Sequence, residues 1–328
     1  MQLKAVITEY EYPDVNIERE IIEKAGFAFE EYQAKTEDEL IEATRDAHAV
    51  IVQYAEITPR VIEHMQNCKM IVKYGIGINN IHYQAATEKG IYICNIPDYG
   101  VEEVANHAVA GIMALARKIT ISDKTLRGGY WGSGKLEPVR RLSNSTVGII
   151  GCGRIGGTVA QRMKAFGVRV IAWDNRAESL ADQNPGVEFV DFETLLKESD
   201  YISIHCPLDD NTKYLIDAQA IAKMKPTTFI INTARGPIIR ESDLIEALQT
   251  GKLAGASLDV FESEPVSQEN PLLTMENVIV SPHTAWYSME GITALHTKAA
   301  TEAVNVLQGN LPFNLCNPEV LKEHSHSL

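Results

Sequence analysis

A chain of 328 residues with 45% hydrophobic and 23% charged content has the make-up of a soluble globular protein, and it is long for one core, so two domains are expected. A formal net charge of −14 excludes a basic nucleic-acid surface. No apolar run is long enough to span a bilayer, and the N-terminus MQLKAVITEY has no basic segment ahead of a hydrophobic stretch, which excludes a membrane partner and predicts a cytoplasmic protein. The five cysteines, Cys68, Cys94, Cys152, Cys206 and Cys316, are scattered with no C-x-x-C pair and no histidine at metal-ligand spacing; reduced, mostly buried thiols and no metal are expected.

The first hundred residues alternate apolar runs with amphipathic stretches. Leu3 to Thr8 reads as a strand, Val15 to Ala25 as a helix ended by Gly26, and Phe27 to Tyr32 as a strand. Thr36 caps a helix over Glu37 to Asp46, and Ala49 to Gln53 is an apolar run. Thr58-Pro59 starts a helix through Met65, and Met70 to Tyr74 and Ile91 to Asn95 are further strands. Strands alternating with helices imply a parallel sheet covered on both faces. From Val101 to Lys118 the chain is apolar on most sides with small residues interleaved, which predicts a buried helix at a domain or subunit boundary, followed by a loop at Arg127 to Gly134.

Ser145 to Arg176 is a complete strand, glycine turn, helix, strand and acid, the pattern of a dinucleotide-binding βαβ unit. Gly151, Gly153 and Gly156 stand in G-x-G-x-x-G spacing after the apolar run Val147 to Ile150. The first lets the chain turn out of a strand, the second leaves room for a pyrophosphate, and the third lets helix and strand pack closely. The phosphates would face free N–H groups at the helix start. Asp174, at the end of Val168 to Trp173, would accept from both ribose hydroxyls and repel a 2′-phosphate, which favours NAD; Arg176 beside it is of the type that accommodates that phosphate.

The alternation then resumes with strands at Val187 to Val190, Tyr201 to Cys206, Thr228 to Thr233, Gly255 to Val260 and Val278 to Val280. Helices fall at Phe192 to Ser199, Asp217 to Met224, Glu241 to Gln249 and Gly291 to Leu307, giving six or seven strands in this half. Three strand ends carry ionisable residues with no structural need for them: Arg235, the acids around Glu264, and His283. Taken singly, each reads as a salt bridge, a solvated acid or a capping histidine. Together, beyond the carboxyl ends of successive strands of a nucleotide-binding sheet, they read as one site. A guanidinium holds a carboxylate by two parallel hydrogen bonds, an imidazole moves a proton near neutral pH, and a carboxylate orients it and favours its protonated form.

These motifs, GCGRIGG with Asp174, HCPL from His205, NTARG from Asn232, DVFESEP from Asp259 and SPHTAW from Ser281, resemble the D-isomer-specific 2-hydroxyacid dehydrogenases along nearly the whole chain. The branch it is most similar to is the one related to the C-terminal-binding corepressors. The resemblance implies two doubly wound parallel-sheet α/β domains: an NAD-binding Rossmann domain, 101–284, inserted into a flavodoxin-like substrate domain formed by 1–100 and 285–328. It implies Arg235 for the substrate carboxylate, His283 as proton donor and acceptor, and Glu264 as its partner. Arg154, Ile155, Cys206, Pro207, Thr212, Thr233 and Ala234 would lie along NAD, with Asp259 near the nicotinamide amide. Backbone amides of a loop around Tyr74, Gly75, Ile76 and Gly77 would hold the carboxylate of a small 2-keto or 2-hydroxy acid. Asn79 and Asn106 stand where the family commonly has acids. Tyr54, Tyr74, Tyr99, Trp286 and Tyr287 are candidates for the pocket wall or for packing. A homodimer built on the helix near Val104 to Ala116 is expected. The rival readings are a phosphoglycerate dehydrogenase and an NADH-sensing corepressor-like module.

Overall fold

The computed structural model describes residues 2–136 and 138–325. It divides into two compact units, Met1–Gly100 with Ser288–Leu328, and Val101–Tyr287.

The first unit carries five parallel strands, β1 (Lys4–Ile7), β2 (Ala28–Glu31), β3 (Ala49–Val52), β4 (Met70–Lys73) and β5 (Tyr92–Cys94), in the order β2-β1-β3-β4-β5. That is the flavodoxin-like order, with the chain reversing direction across the sheet between β1 and β3. The central strand Ala49-Val-Ile-Val52 is buried throughout, as a strand covered on both faces must be, while the edge strand β2 ends on the exposed acids Glu30 and Glu31. Helices α1 (Asn16–Lys24), α2 (Glu37–Thr44), α3 (Pro59–His64) and α4 (Tyr83–Glu88) connect them. Thr36 and Glu39 close a reciprocal capping box on α2, and Thr58 caps α3 ahead of its first-turn proline.

The second unit opens with α5 (Val101–Arg117) and α6 (Ile119–Arg127). Its seven strands are β6 (Thr146–Ile150), β7 (Arg169–Trp173), β8 (Glu188–Phe189), β9 (Tyr201–Ile204), β10 (Phe229–Asn232), β11 (Gly255–Leu258) and β12 (Val278–Val280). They pair in parallel in the order β12-β11-β10-β9-β6-β7-β8, the Rossmann order with one strand added at the edge. Helices α7 (Arg154–Ala165), α8 (Ala177–Leu180), α9 (Phe192–Glu198), α10 (Ala218–Ile221) and α11 (Glu241–Gln249) complete the winding. The fold is thus two parallel-sheet α/β layers of five and seven strands.

The stretch from Ile119 to Arg127, whose last residue is expected from the sequence to open a loop, is a helix in its own right. Lys118 takes a left-handed conformation, φ 51°, and breaks it from α5. None of its residues is buried, so its apolar side faces no core of this chain.

After Tyr287 the chain returns to the first unit as α12 (Met289–Leu307), which packs against α1, β3 and β4, and α13 (Val320–Ser325). Asn317 stitches this return in place. Fully buried, it accepts from Ile93 N–H at 2.7 Å and donates to Ile91 O and Thr87 Oγ1, both at 2.9 Å. Among the described residues no helix is long and apolar enough to cross a membrane. Asn317→Ala strands a buried N–H and a buried carbonyl, so urea titration is expected to show unfolding free energy lower by about 3 kcal/mol. An unchanged midpoint would leave the C-terminal return held by α12 alone.

Candidate active site

The glycine turn is built as close approaches demand. Gly151 follows β6 at φ +86°, and a Cβ there would lie 2.6 Å from Cys206 N, so the turn abuts the segment leaving β9. A Cβ on Gly156 would lie 2.0 Å from Gly151 O, which is the close packing of helix on strand. Gly153 is the N-cap of α7 and no side chain caps it, so Arg154 and Ile155 open the helix with N–H groups offered to an outside acceptor. This crevice lies at the switch point between β6 and β9.

Asp174 follows β7 and is 9% exposed. Its Oδ2 accepts from Cys152 N–H at 2.9 Å, and its Oδ1 accepts from Arg176 N–H at 2.9 Å and from Arg176 Nε at 3.4 Å. Oδ2, with one donor, keeps a lone pair for a ribose hydroxyl. Arg176 Nη2 lies 3.5 Å from the position a Gly153 Cβ would take, so the guanidinium leans along the glycine turn. Thr233, at the end of β10, buries a hydroxyl with no hydrogen-bond partner among the described residues, an orphan that a bound group would satisfy. A bare helix start, an acid with a spare lone pair and a buried hydroxyl in waiting fit a dinucleotide. Beyond β9, Thr212 Oγ1 donates to Pro207 O at 2.6 Å and closes the HCPL turn.

The three ionisable strand ends converge. β10 ends on the buried Asn232, whose side chain donates to Arg235 O at 2.9 Å and accepts from Ala234 N–H at 3.0 Å, latching the turn that presents Arg235. A Cβ on the following Gly236 would lie 1.8 Å from Phe261 O, so this turn touches the stretch beyond β11 backbone to backbone. There Glu264 Oε1 accepts from Phe261 N–H at 2.9 Å and Glu264 Oε2 lies 2.6 Å from His283 Nδ1. Burial alone would raise the Glu264 carboxyl, but the His283 hydrogen bond and charge, the Phe261 N–H and the Arg235 charge outweigh it and hold it below the usual carboxylate range.

Asp259 fixes the histidine. It is 2% exposed, and its carboxylate accepts from Ser281 Oγ, from Thr284 N–H at 3.0 Å and from Ala285 N–H at 2.9 Å. Its backbone oxygen accepts from His283 N–H at 2.8 Å. Trp286 Nε1 donates to His283 O at 2.9 Å, and His107 Nε2 meets Ser281 Oγ at 2.9 Å. Around these contacts His283 takes φ +55°. Asn232, present in the sequence only as a motif letter, latches the turn that carries Arg235, and Trp286, expected as a pocket or packing residue, hydrogen-bonds the His283 backbone.

Two neighbouring groups are set aside by their surroundings. Burial pushes His205 down to about 3, and its ring meets Ser203 Oγ at 2.8 Å, so it is a neutral hydrogen-bonding ring. Burial pushes the Cys206 and Cys152 thiols up to about 12 and about 11, so neither is a nucleophile.

In the other unit the loop after β4 is a concave run of amides. Gly75, at φ +131°, has its carbonyl held by Ile96 N–H at 2.9 Å, and Ile76 O is held by Asn95 Nδ2 at 2.6 Å. The N–H groups of Gly75, Ile76 and Gly77 meet no acceptor among the described residues. Tyr74 is 4% exposed with its phenol turned inward onto Glu18, so it contributes its backbone to this loop. Tyr54 and Tyr287 are 46% and 57% exposed, and the Lys73 ammonium sits 5.3 Å from the Tyr54 ring centre.

Residues 109–285 match the model of the D-isomer specific 2-hydroxyacid dehydrogenase NAD binding domain. A glyoxylate reductase of Korarchaeum cryptofilum is 35% identical over 94% of this chain and 97% of its own. A D-3-phosphoglycerate dehydrogenase of Methanocaldococcus jannaschii is 39% identical over 88% of this chain but only 55% of its own. The structure of a D-lactate dehydrogenase from Aquifex aeolicus, complexed with NAD and lactic acid, superposes with a TM-score of 0.84 at 27% identity, covering 97% of this chain and 98% of that one. The chain therefore belongs to the D-isomer specific 2-hydroxyacid dehydrogenases, oxidoreductases that use NAD and act on the CH–OH group of 2-hydroxy acids.

Proposed function

We propose that this chain interconverts a small 2-keto acid and its D-2-hydroxy acid with His283 as acid and base, Glu264 as its partner and Arg235 on the substrate. The observation that carries this reading is the 2.6 Å contact between His283 Nδ1 and Glu264 Oε2, on a carboxylate that also feels the Arg235 charge.

NAD, when bound, supplies or takes the hydride at the substrate carbon that carries oxygen. Gly151, Gly153, Gly156 and the opening N–H groups of Arg154 and Ile155 would hold its phosphates, Asp174 its ribose, and Thr233 its nicotinamide end. Arg235 would pair its fork of N–H donors with the substrate carboxylate, and within the first unit the amides of Gly75 to Gly77 offer a cradle suited to a carboxylate. Because Nδ1 of His283 is engaged by Glu264, its proton-transferring atom is Nε2, which delivers a proton to the carbonyl oxygen in reduction and removes it from the hydroxyl in oxidation. Glu264, ionised throughout the neutral range, steadies the imidazole while it carries that proton. The five unpaired thiols support a reducing, cytoplasmic setting.

The same reading includes a homodimer, but not through the apolar face of the helix near Val104 to Ala116 as expected from the sequence, because Val104, Ala105, Ala108, Ile112, Leu115 and Ala116 are buried within the chain itself. On α6 and the segment after it Ile119, Leu126 and Trp131 are 55%, 54% and 88% exposed, an apolar surface that a second copy would cover. Sedimentation at micromolar concentration is expected to give twice the 36.3 kDa chain mass, and a monomer overturns the dimer.

In NADH-coupled assays over glyoxylate, pyruvate, hydroxypyruvate, phenylpyruvate and 3-phosphohydroxypyruvate, His283→Ala is expected to lower kcat by about 100-fold or more. Arg235→Ala is expected mainly to raise the keto-acid KM, by about 10- to 100-fold for the loss of a charge-assisted pair. Unchanged turnover in the first variant removes His283 from its role. Glu264→Gln takes away the carboxylate that contacts the ring, so the pH profile of reduction is expected to shift. A superimposable profile would uncouple the pair.

A further inference from the structure

Inside the first unit lies a polar cluster that the proposed chemistry does not use. Glu18 on α1 is fully buried and His296 on α12 is 3% exposed. Glu18 Oε1 accepts from the Tyr74 hydroxyl and lies 2.7 Å from His296 Nδ1. The Tyr12 ring closes the cluster, edge-on to His296 at 4.3 Å and to Tyr74 at 5.7 Å between centroids, and Gln53 Nε2 donates to the Tyr12 hydroxyl at 3.3 Å. Burial, then the charge of Glu18, holds the Tyr74 phenol well above its usual range, so it stays a donor.

The cluster is under-satisfied. Glu18 Oε2 and His296 Nε2 are both buried without a hydrogen-bond partner among the described residues. A half-satisfied buried network is costlier than apolar side chains of the same volume, so stability alone gives no reason for an acid and an imidazole here. What they do fix is a direction. Tyr74 immediately precedes Gly75, and its backbone N–H already donates to Val52 O at 2.8 Å. With the phenol gripped by Glu18, the Gly75 carbonyl by Ile96 and the Ile76 carbonyl by Asn95, the peptide planes of the loop are fixed at successive residues, leaving the N–H groups of Gly75 to Gly77 on offer.

We propose that Glu18 and His296 are positioning residues which, through the Tyr74 hydroxyl, set the amides of Gly75 to Gly77 for the carboxylate of the 2-keto acid. This rests on the reading of that loop as a substrate cradle. A purely structural cluster would move stability and leave the kinetics alone. A positioning cluster moves the keto-acid KM, leaves the NADH KM alone, and is partly rescued by a side chain that keeps an acceptor oxygen.

The test compares Tyr74→Phe, Glu18→Met, Glu18→Gln and His296→Leu with Gly75→Ala, which puts a Cβ on a backbone at φ +131° within the loop itself. Tyr74→Phe removes one oxygen and keeps the ring, so it reports even if the buried substitutions fold poorly. With the best keto acid of the panel, Tyr74→Phe and Glu18→Met are expected to raise KM about tenfold with kcat within about twofold, as a small misplacement of a binding group does. Glu18→Gln should fall between wild type and Glu18→Met, and His296→Leu should follow Glu18→Met. If Gly75→Ala raises KM while Tyr74→Phe and Glu18→Met do not, the positioning role is overturned and the substrate cradle stands. If Gly75→Ala leaves KM unchanged, the cradle assignment falls and this inference falls with it.

Discussion

The carboxylate of Asp259 is buried just beyond β11, faces His107 of α5 at 3.9 Å, and takes its hydrogen bonds from the segment that follows β12. It takes the Ser281 hydroxyl and the N–H groups of Thr284 and Ala285, while the Asp259 carbonyl takes the N–H of His283. A buried carboxylate is tolerated only with such a set of donors. In return, it imposes a tight bend that four donors must converge on. His283 meets that bend at φ +55°, a conformation that costs a non-glycine residue of order 1 kcal/mol or more and persists because its surroundings over-determine it. From this backbone the ring reaches Glu264, its Nδ1 lying 2.6 Å from Glu264 Oε2.

The remaining geometry follows from parallel pairing. Seven strands running the same way bring all their carboxyl ends to one edge of the sheet, so residues as distant in sequence as Gly151, Arg235, Glu264 and His283 reach a common crest. Backbone contacts lock the loops there to one another: the Gly151 turn against Cys206, the Gly236 turn against Phe261. Such contacts leave no room for a Cβ, which is why the loops are rigid enough to hold hydrogen-bond geometry. The chain as a whole carries −14, yet this crest presents the Arg235 guanidinium, so local charge here differs from the average.

Much of this was legible in the sequence because it is written locally. Strand ends, the capping residues Thr36 and Thr58, the glycine spacing and the acid after β7 each depend on neighbours a few positions away. The features that escaped are long-range or faceless. Helix α6 has apolar residues, Ile119 and Leu126, but buries none of them, so no core contact ties it to the rest of the pattern. Asn232 acts by latching three residues on, but its importance comes from what that turn presents. Glu18 left a trace that could have been found: it sits with Val15 and Ile22 on the buried side of α1, an acid where an apolar residue is expected. Its partners, Tyr74 and His296, lie 56 and 278 positions away, and no local pattern joins them.

Two histidines on the same crest show how environment, not residue type, assigns the proton. His205 follows β9 with the Ser203 hydroxyl against its ring; burial forces it down to about 3, so it is neutral at neutral pH. His283 follows β12, keeps a third of its side chain exposed, and meets a carboxylate that His283 and Arg235 keep ionised. The same side chain, set after two strands of one sheet, thus stands in one place buried beside a hydroxyl and in the other half-open against the Glu264 carboxylate, and it is the neighbours, not the residue type, that differ.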